Sequence, residues 1–147
     1  MTIQKKTLFQ RGDESLFLFD GLFSLVNNNQ FRSLPWQQNK IRVFGKEYNE
    51  PRLTCYFGPK YTYSNIHWPE SPMHPIVQEL FNMVCEASEF DFNAVLCNFY
   101  RNGADSMGWH ADNEKEIDQK FIGSVSFGGT RKIHFRNLSS MEKFSVE

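Results

Sequence analysis

An α+β fold that is mainly β, a sandwich or jelly roll with helices packed outside it, is what this sequence predicts. Three observations carry the prediction. Short strand-like runs separated by Gly, Asn, Asp or Pro fill the second half of the chain. In one of them, 92–101, Ala94, Leu96, Asn98 and Tyr100 alternate with Val95, Cys97 and Phe99, so both faces are largely covered. A single clear apolar stripe at helical spacing follows Pro75.

Taken in order, a short apolar run at 16–19 leads to Asp20, a residue suited to cap a helix. Leu22, Phe23, Val26 and Phe31 fall near helical spacing behind it, and the run of Asn27, Asn28 and Asn29 or Pro35 would end it. Strands are expected at 41–44 and 53–57. A second helix begins at Pro75, which suits a first turn, and carries Ile76, Val77, Leu80, Phe81, Val84 and Cys85 on one stripe. Further strands are expected at 92–101, 107–111, 121–127 and 133–136. A strand pair covered on both sides is the sandwich or jelly-roll signature.

Composition supports a folded domain. The chain has 147 residues, 40% hydrophobic and 16% aromatic with 15 Phe, which disfavours disorder, collagen-like repeats and coiled coil. No repeat or Gly/Ser linker divides it, so residues 1–147 are read as one domain, a size that buries roughly two thirds of its unfolded surface. Apolar runs are far shorter than the roughly 20 residues that span a bilayer, and no apolar stretch follows the polar N-terminus. An intracellular protein, in cytoplasm or nucleus, without a membrane partner is the expectation. Cys55, Cys85 and Cys97 are odd in number and lack C-x-x-C spacing, which favours buried free thiols.

Net charge is −1, so a nucleic-acid partner would need a local basic surface. Lys40, Arg42, Lys46, Arg52 and Lys60 stand against Glu47 and Glu50, whereas residues 105–118 hold five acids against Lys115 alone. One face suits phosphate and the other a cation; both also fit ordinary solvated faces.

His110-Ala111-Asp112 is the sharpest local feature. On a strand, residues i and i+2 project to one face and offer an imidazole nitrogen and a carboxylate oxygen to one cation. That is two thirds of a 2-His-1-carboxylate set, which suits Fe(II) or Mn(II). Alone, H-x-D equally describes a surface His beside an acid.

The wider context is more specific. Asn98-Phe99-Tyr100-Arg101-Asn102-Gly103, followed by His110-Ala111-Asp112, resembles the N-x-Y-x-x-G…H-x-D stretch of AlkB-family Fe(II)/2-oxoglutarate dioxygenases. The likeness continues through Ser124-Val125-Ser126-Phe127-Gly128-Gly129-Thr130-Arg131, similar to the family's S-x-S-x-G-x-x-R strand. Upstream, Pro51-Arg52, Tyr56-Phe57-Gly58 and Tyr61-Thr62-Tyr63-Ser64 resemble the aromatic lid before the core. The resemblance spans about residues 43–136. It implies a double-stranded β-helix (jelly-roll) core with flanking N-terminal helices, and oxidative dealkylation of N-alkylated bases with Fe(II), 2-oxoglutarate and O2. Hydroxylation of the alkyl group gives an adduct that falls apart to an aldehyde. A monomer acting on alkylated DNA, or on RNA, is the implied arrangement.

Carried over residue by residue, the resemblance makes His110 and Asp112 metal ligands and makes Asn98 and Tyr100 polar contacts to 2-oxoglutarate. Those two are the polar members of an otherwise apolar row, as a cavity for a small dianion requires. Tyr61 and Tyr63 would stack on an extruded base, with Glu114 at the base edge. Val43-Phe44-Gly45-Lys46 resembles a finger inserted into duplex DNA; Phe44 would fill the gap left by the base, and Arg42, Lys46 and Arg52 would bind phosphate. The alternative for this tetrapeptide is a β-turn with Phe44 tucked into the core.

His67, His74 and His134 fit poorly as a third ligand: two lie in a loop before the helix, and His134 follows His110 by only 24 residues. No position matches the family's distal His or its co-substrate Arg, so the jelly roll is expected to be incomplete at its C-terminal end. The chain alone would then hold iron weakly and turn over little. A non-catalytic nucleic-acid-binding fragment or degenerate paralogue is the competing reading.

Overall fold

The computed structural model describes residues 3–23, 26–63, 66–113 and 121–147. Strands β1 (Gln4–Arg11) and β2 (Glu14–Asp20) form an antiparallel hairpin, closed at Gly12 where φ is +57°. A 3-10 helix, Asn28–Ser33, follows. Strands β3 (Lys40–Val43) and β4 (Lys46–Asn49) make a second hairpin. Strand β5 (Leu53–Phe57) pairs antiparallel with β8 (Val95–Phe99), and between them lie the ribbon β6 (Tyr61–Tyr63)/β7 (Ile66–Trp68) and helix α1 (Pro75–Ser88). Strands β9 (Ile133–Arg136) and β10 (Lys143–Val146) form the last hairpin. No helix among the described residues is long and apolar enough to cross a membrane.

Alternation on β5 and β8 sorts two faces. Leu53, Cys55 and Phe57 stand opposite Phe99, Cys97 and Val95, while Thr54 and Tyr56 stand opposite Asn98 and Leu96. The first set faces α1: Leu34, Cys55, Phe57 and Val77 form the buried core, with Trp36, Met73, Val95 and Cys97 packed around it. Helix α1 starts where Pro75 was read as its first turn. His74 caps it, its Nδ1 accepting from the Ile76 amide at 3.3 Å. The left-handed Glu89 ends it, donating to the carbonyls of Cys85 and Glu86. Gly58 is required where β5 ends: its φ is +139°, and a Cβ there would lie 2.7 Å from Ala94 Cβ.

The N-terminal hairpin docks on the last one. Phe9 stacks on Phe144 at 5.0 Å, Phe144 stacks on Phe135 at 5.0 Å, and Asn137 Nδ2 donates to Glu14 Oε2.

Three expectations are corrected. Residues 14–20 are a strand, and the helix predicted behind Asp20 is replaced by a turn at Gly21 (φ +82°) and the short 3-10 helix. Asn27 explains the shift, because its side chain accepts from the Asn29 amide and so caps a later start. Residues 107–111 and the described residues 121–127 belong to no strand. Consequently the described strands pair two by two, in five antiparallel ribbons, rather than joining into one larger sheet.

Candidate metal and co-substrate site

His110 and Asp112 meet, but not by strand geometry. The segment is not extended: the Asn113 amide donates to the Ala111 carbonyl at 3.0 Å, closing a tight turn at Asp112. His110 Nδ1 lies 2.9 Å from the Gly108 carbonyl. A carbonyl only accepts, so this contact places the proton on Nδ1 and leaves the Nε2 lone pair open. Nε2 is the atom that approaches Asp112 Oδ1, at 3.6 Å. That span is too long for a hydrogen bond and about 0.6 Å wider than the roughly 3.0 Å between two cis donors on an octahedral cation, so a small side-chain movement would bring both onto one ion. One hard oxygen and one imidazole nitrogen, both about one-third exposed, suit Fe(II) or Mn(II). The residues present therefore fit the metal that the sequence motif implies.

Among the described residues no cluster of three or more His, Cys, Asp or Glu converges. The other histidines are engaged elsewhere: His67 with Thr62 Oγ1 at 3.1 Å, His74 as the cap of α1, and His134 with Ser145 Oγ at 2.7 Å.

Asn98 projects from the polar face of β8, and its Oδ1 accepts from Arg52 Nε at 2.9 Å. Arg52 corrects the phosphate-contact expectation. It is only 5% exposed and ion-paired with Glu50, itself 1% exposed, at 2.7 Å. The cause lies in the local chain: Glu50, Arg52 and Thr54 alternate onto the face that carries Asn98, and charges enclosed there must pair. Tyr100, half-buried, has the Arg131 guanidinium 5.3 Å from its ring centre.

The segment joining Asn98 to His110 is clamped by a pair that the sequence reading missed. Asp105 receives the Arg101 backbone N–H (2.9 Å), Nε (2.7 Å) and Nη2 (2.9 Å). Arg131 Nη1 donates to the Asp105 carbonyl, and the Ser106 amide donates to Pro51 O, each at 2.9 Å. Hydrogen bonds from the Arg101 side chain and backbone, aided by the charges of Arg101 and Arg131, hold the Asp105 carboxyl down to about 2. Opposite charges four residues apart around Asn102-Gly103 were the available signal.

On the substrate side Tyr61 stacks on Tyr56 at 5.5 Å, and Tyr56 also packs on the buried Trp68 at 5.8 Å. Lys60, Tyr61, Thr62, His67, Trp68 and Pro69 line a cleft of about 500 Å³. The Tyr63 side chain and Glu114 lie outside the described residues. Phe44 is not tucked into the core: it is fully exposed at the tip of the β3–β4 hairpin, with φ +48° beside Gly45 at +78°. Arg42 and Lys46 flank it, also exposed.

Comparison with known proteins identifies the family. Residues 21–146 match the model of the 2OG-Fe(II) oxygenase superfamily. The chain is 39% identical over 115 residues to human alpha-ketoglutarate-dependent dioxygenase alkB homolog 3, covering 76% of this chain and 40% of the relative. Against the cattle protein of the same name identity is 40% over 108 residues, covering 71% and 38%. Against mouse DNA oxidative demethylase ALKBH2 it is 37% over 108 residues, covering 71% and 45%. The chain thus spans about two fifths of the length of these relatives. With most of its residues inside the matched region, the chain belongs to the 2OG-Fe(II) oxygenase superfamily.

Proposed function

We propose that the protein acts in the oxidative removal of alkyl groups from bases of nucleic acid, with Fe(II) and 2-oxoglutarate. The observation that carries this reading is the approach of His110 Nε2 to Asp112 Oδ1 at 3.6 Å. Relatives named for alpha-ketoglutarate-dependent dioxygenase and DNA oxidative demethylase activity support DNA as the substrate class.

In this reading His110 and Asp112 hold the metal, which with 2-oxoglutarate and O2 supplies the oxidation. The Gly108 carbonyl holds the His110 ring through Nδ1, which leaves Nε2 as the atom that would ligate. Asn98 and Tyr100 contact the co-substrate. Tyr61 and the cleft beside it receive the base, while Phe44 occupies the space that the base leaves in the duplex. Arg42 and Lys46, exposed on the finger hairpin, bind phosphate. The strand pairs belong to a jelly roll in this assignment.

The test is formaldehyde release from N-methylated DNA and RNA oligonucleotides with Fe(II) in excess. The reading predicts slow release that requires 2-oxoglutarate and is lost in His110→Ala. Tight oligonucleotide binding with no aldehyde at any iron concentration would instead establish the non-catalytic binder.

A further inference from the structure

The polar face of β5 and β8 holds a buried network with no part in the metal pair. Arg52 donates Nε to Asn98 Oδ1 at 2.9 Å and Nη2 to Glu50 Oε1 at 2.7 Å. Glu50 Oε2 accepts from Thr54 Oγ1 at 3.4 Å, and Thr54 Oγ1 accepts from Asn39 Nδ2 at 2.7 Å. Gln38 Nε2 adds a bond to the Glu50 carbonyl at 3.1 Å. Glu50, Thr54 and Arg52 are 1%, 1% and 5% exposed.

We infer that the Glu50–Arg52 ion pair sets which end of the Asn98 amide faces the co-substrate, making Arg52 a positioning residue. The inference rests on the co-substrate reading of Asn98 proposed above. An amide side chain is nearly symmetric in shape and opposite in chemistry at its two ends. A guanidinium has donors only, so the end it meets must be Oδ1. The Nδ2 group, with two donors, is thereby turned away from Arg52. A dicarboxylate with a keto oxygen presents acceptors only, and needs that donor end. Rotating the amide by half a turn would set oxygen against oxygen at the ligand and N–H against N–H at Arg52. Glu50 makes the arrangement rigid by holding the neighbouring Nη2 of the guanidinium and neutralising it. That neutralisation also removes Arg52 from the basic surface, so its charge contributes no attraction for a phosphate backbone.

Three readouts on the full chain test this, using Arg52→Lys, which keeps a cation beside Glu50 but loses the fork, and Asn98→Asp, which keeps a partner for Arg52 but has no donor. The first is the Asn98 side-chain amide signal in ¹⁵N–¹H spectra without ligand. Arg52→Lys should shift it and speed exchange of its two protons. The second is 2-oxoglutarate affinity measured calorimetrically with Mn(II), expected to weaken about tenfold in Arg52→Lys and by more in Asn98→Asp. The third is the salt dependence of binding to a methylated oligonucleotide, expected to be unchanged in Arg52→Lys. An unchanged Asn98 amide signal overturns the positioning role. So does an unchanged 2-oxoglutarate affinity with Arg52→Lys, all the more if the salt slope falls by about one, as loss of a phosphate contact would cause. Failure of the unaltered chain to bind 2-oxoglutarate overturns the co-substrate reading instead, and the amide signal still decides whether Arg52 orients Asn98.

Discussion

Replacing Phe44 by Asn should raise folding stability and lower duplex affinity at once. Phe44 is fully exposed at its hairpin tip and adopts φ +48°, followed by Gly45 at +78°. Two consecutive left-handed residues are what a type I′ turn demands, and Asn-Gly is its favoured pair. A bulky L-residue in that region costs roughly 1–2 kcal/mol, most of which Asn avoids. The exposed ring contributes no compensating burial in the free protein. Phe44→Asn is therefore expected to stabilise by about 1 kcal/mol, a rise in Tm of roughly 2–4 °C for a domain of this size. In the complex the balance reverses. A Phe ring fully buried between base steps contributes about 1.5–3 kcal/mol, so its loss should weaken binding by about 10- to 150-fold. Fluorescence anisotropy against a duplex with one methylated base and against the matching single strand separates the effects, because the wedge has a gap to fill only in the duplex. Equal losses on both, or none on the duplex, would refute the finger assignment. A fall in Tm would refute the exposed, strained geometry itself.

Asp105 and Cys55 give two further tests. The Asp105 carboxyl titrates near about 2 in the folded chain, against roughly 3.9 when unfolded. The folded state thus gains stability from it that is complete above about pH 5 and fades as pH falls towards 2. Urea unfolding at pH 6 and pH 3 should show a smaller pH-dependent loss in Asp105→Asn than in the unaltered chain; identical losses would count against the Arg101–Asp105 clasp. Cys55 is 1% exposed and stands directly opposite Cys97 across the β5–β8 ladder. Its thiol is pushed up first by its hydrogen bond with Cys97 and then by burial. Iodoacetamide at pH 8 should therefore leave Cys55 unlabelled in the native chain and modify it only on unfolding, as read by mass spectrometry of its peptide. Rapid native labelling would mean that the β5–α1 core opens.

Legibility in the sequence followed the strength of local signals. Helix α1 is readable because Pro75 and the stripe through Val77 mark it twice, β5 because apolar and aromatic residues dominate it, and β9 because Ile133 and Phe135 alternate with His134 and Arg136. The N-terminal hairpin was not, since Gln4, Lys5 and Lys6 give no apolar face; its docking depends on Phe9 meeting Phe144, a contact 135 residues away. The H-x-D pair is found by its spacing, yet the expected strand is absent at 107–111, and the chain turns at Asp112 where the Asn113 amide meets the Ala111 carbonyl. Arg52 was misread because a count of bases along a segment is blind to burial. Only the fold reveals that Glu50 neutralises it and that Asn98, 46 residues later, takes its remaining bond. Phe44 was ambiguous for the opposite reason, as Phe-Gly is an unusual pair for a tight hairpin and nothing nearby shows which way the ring turns.

One cation shared by His110 Nε2 and Asp112 Oδ1 is the central expectation for this chain. Electron paramagnetic resonance of Mn(II) titrated into the unaltered chain, His110→Ala and Asp112→Ala measures it without requiring turnover. One Mn(II) per chain, with binding lost in both variants while their circular dichroism is unchanged, is the predicted result. Mn(II) binding of equal strength in all three, or in neither variant nor the unaltered chain, would contradict it.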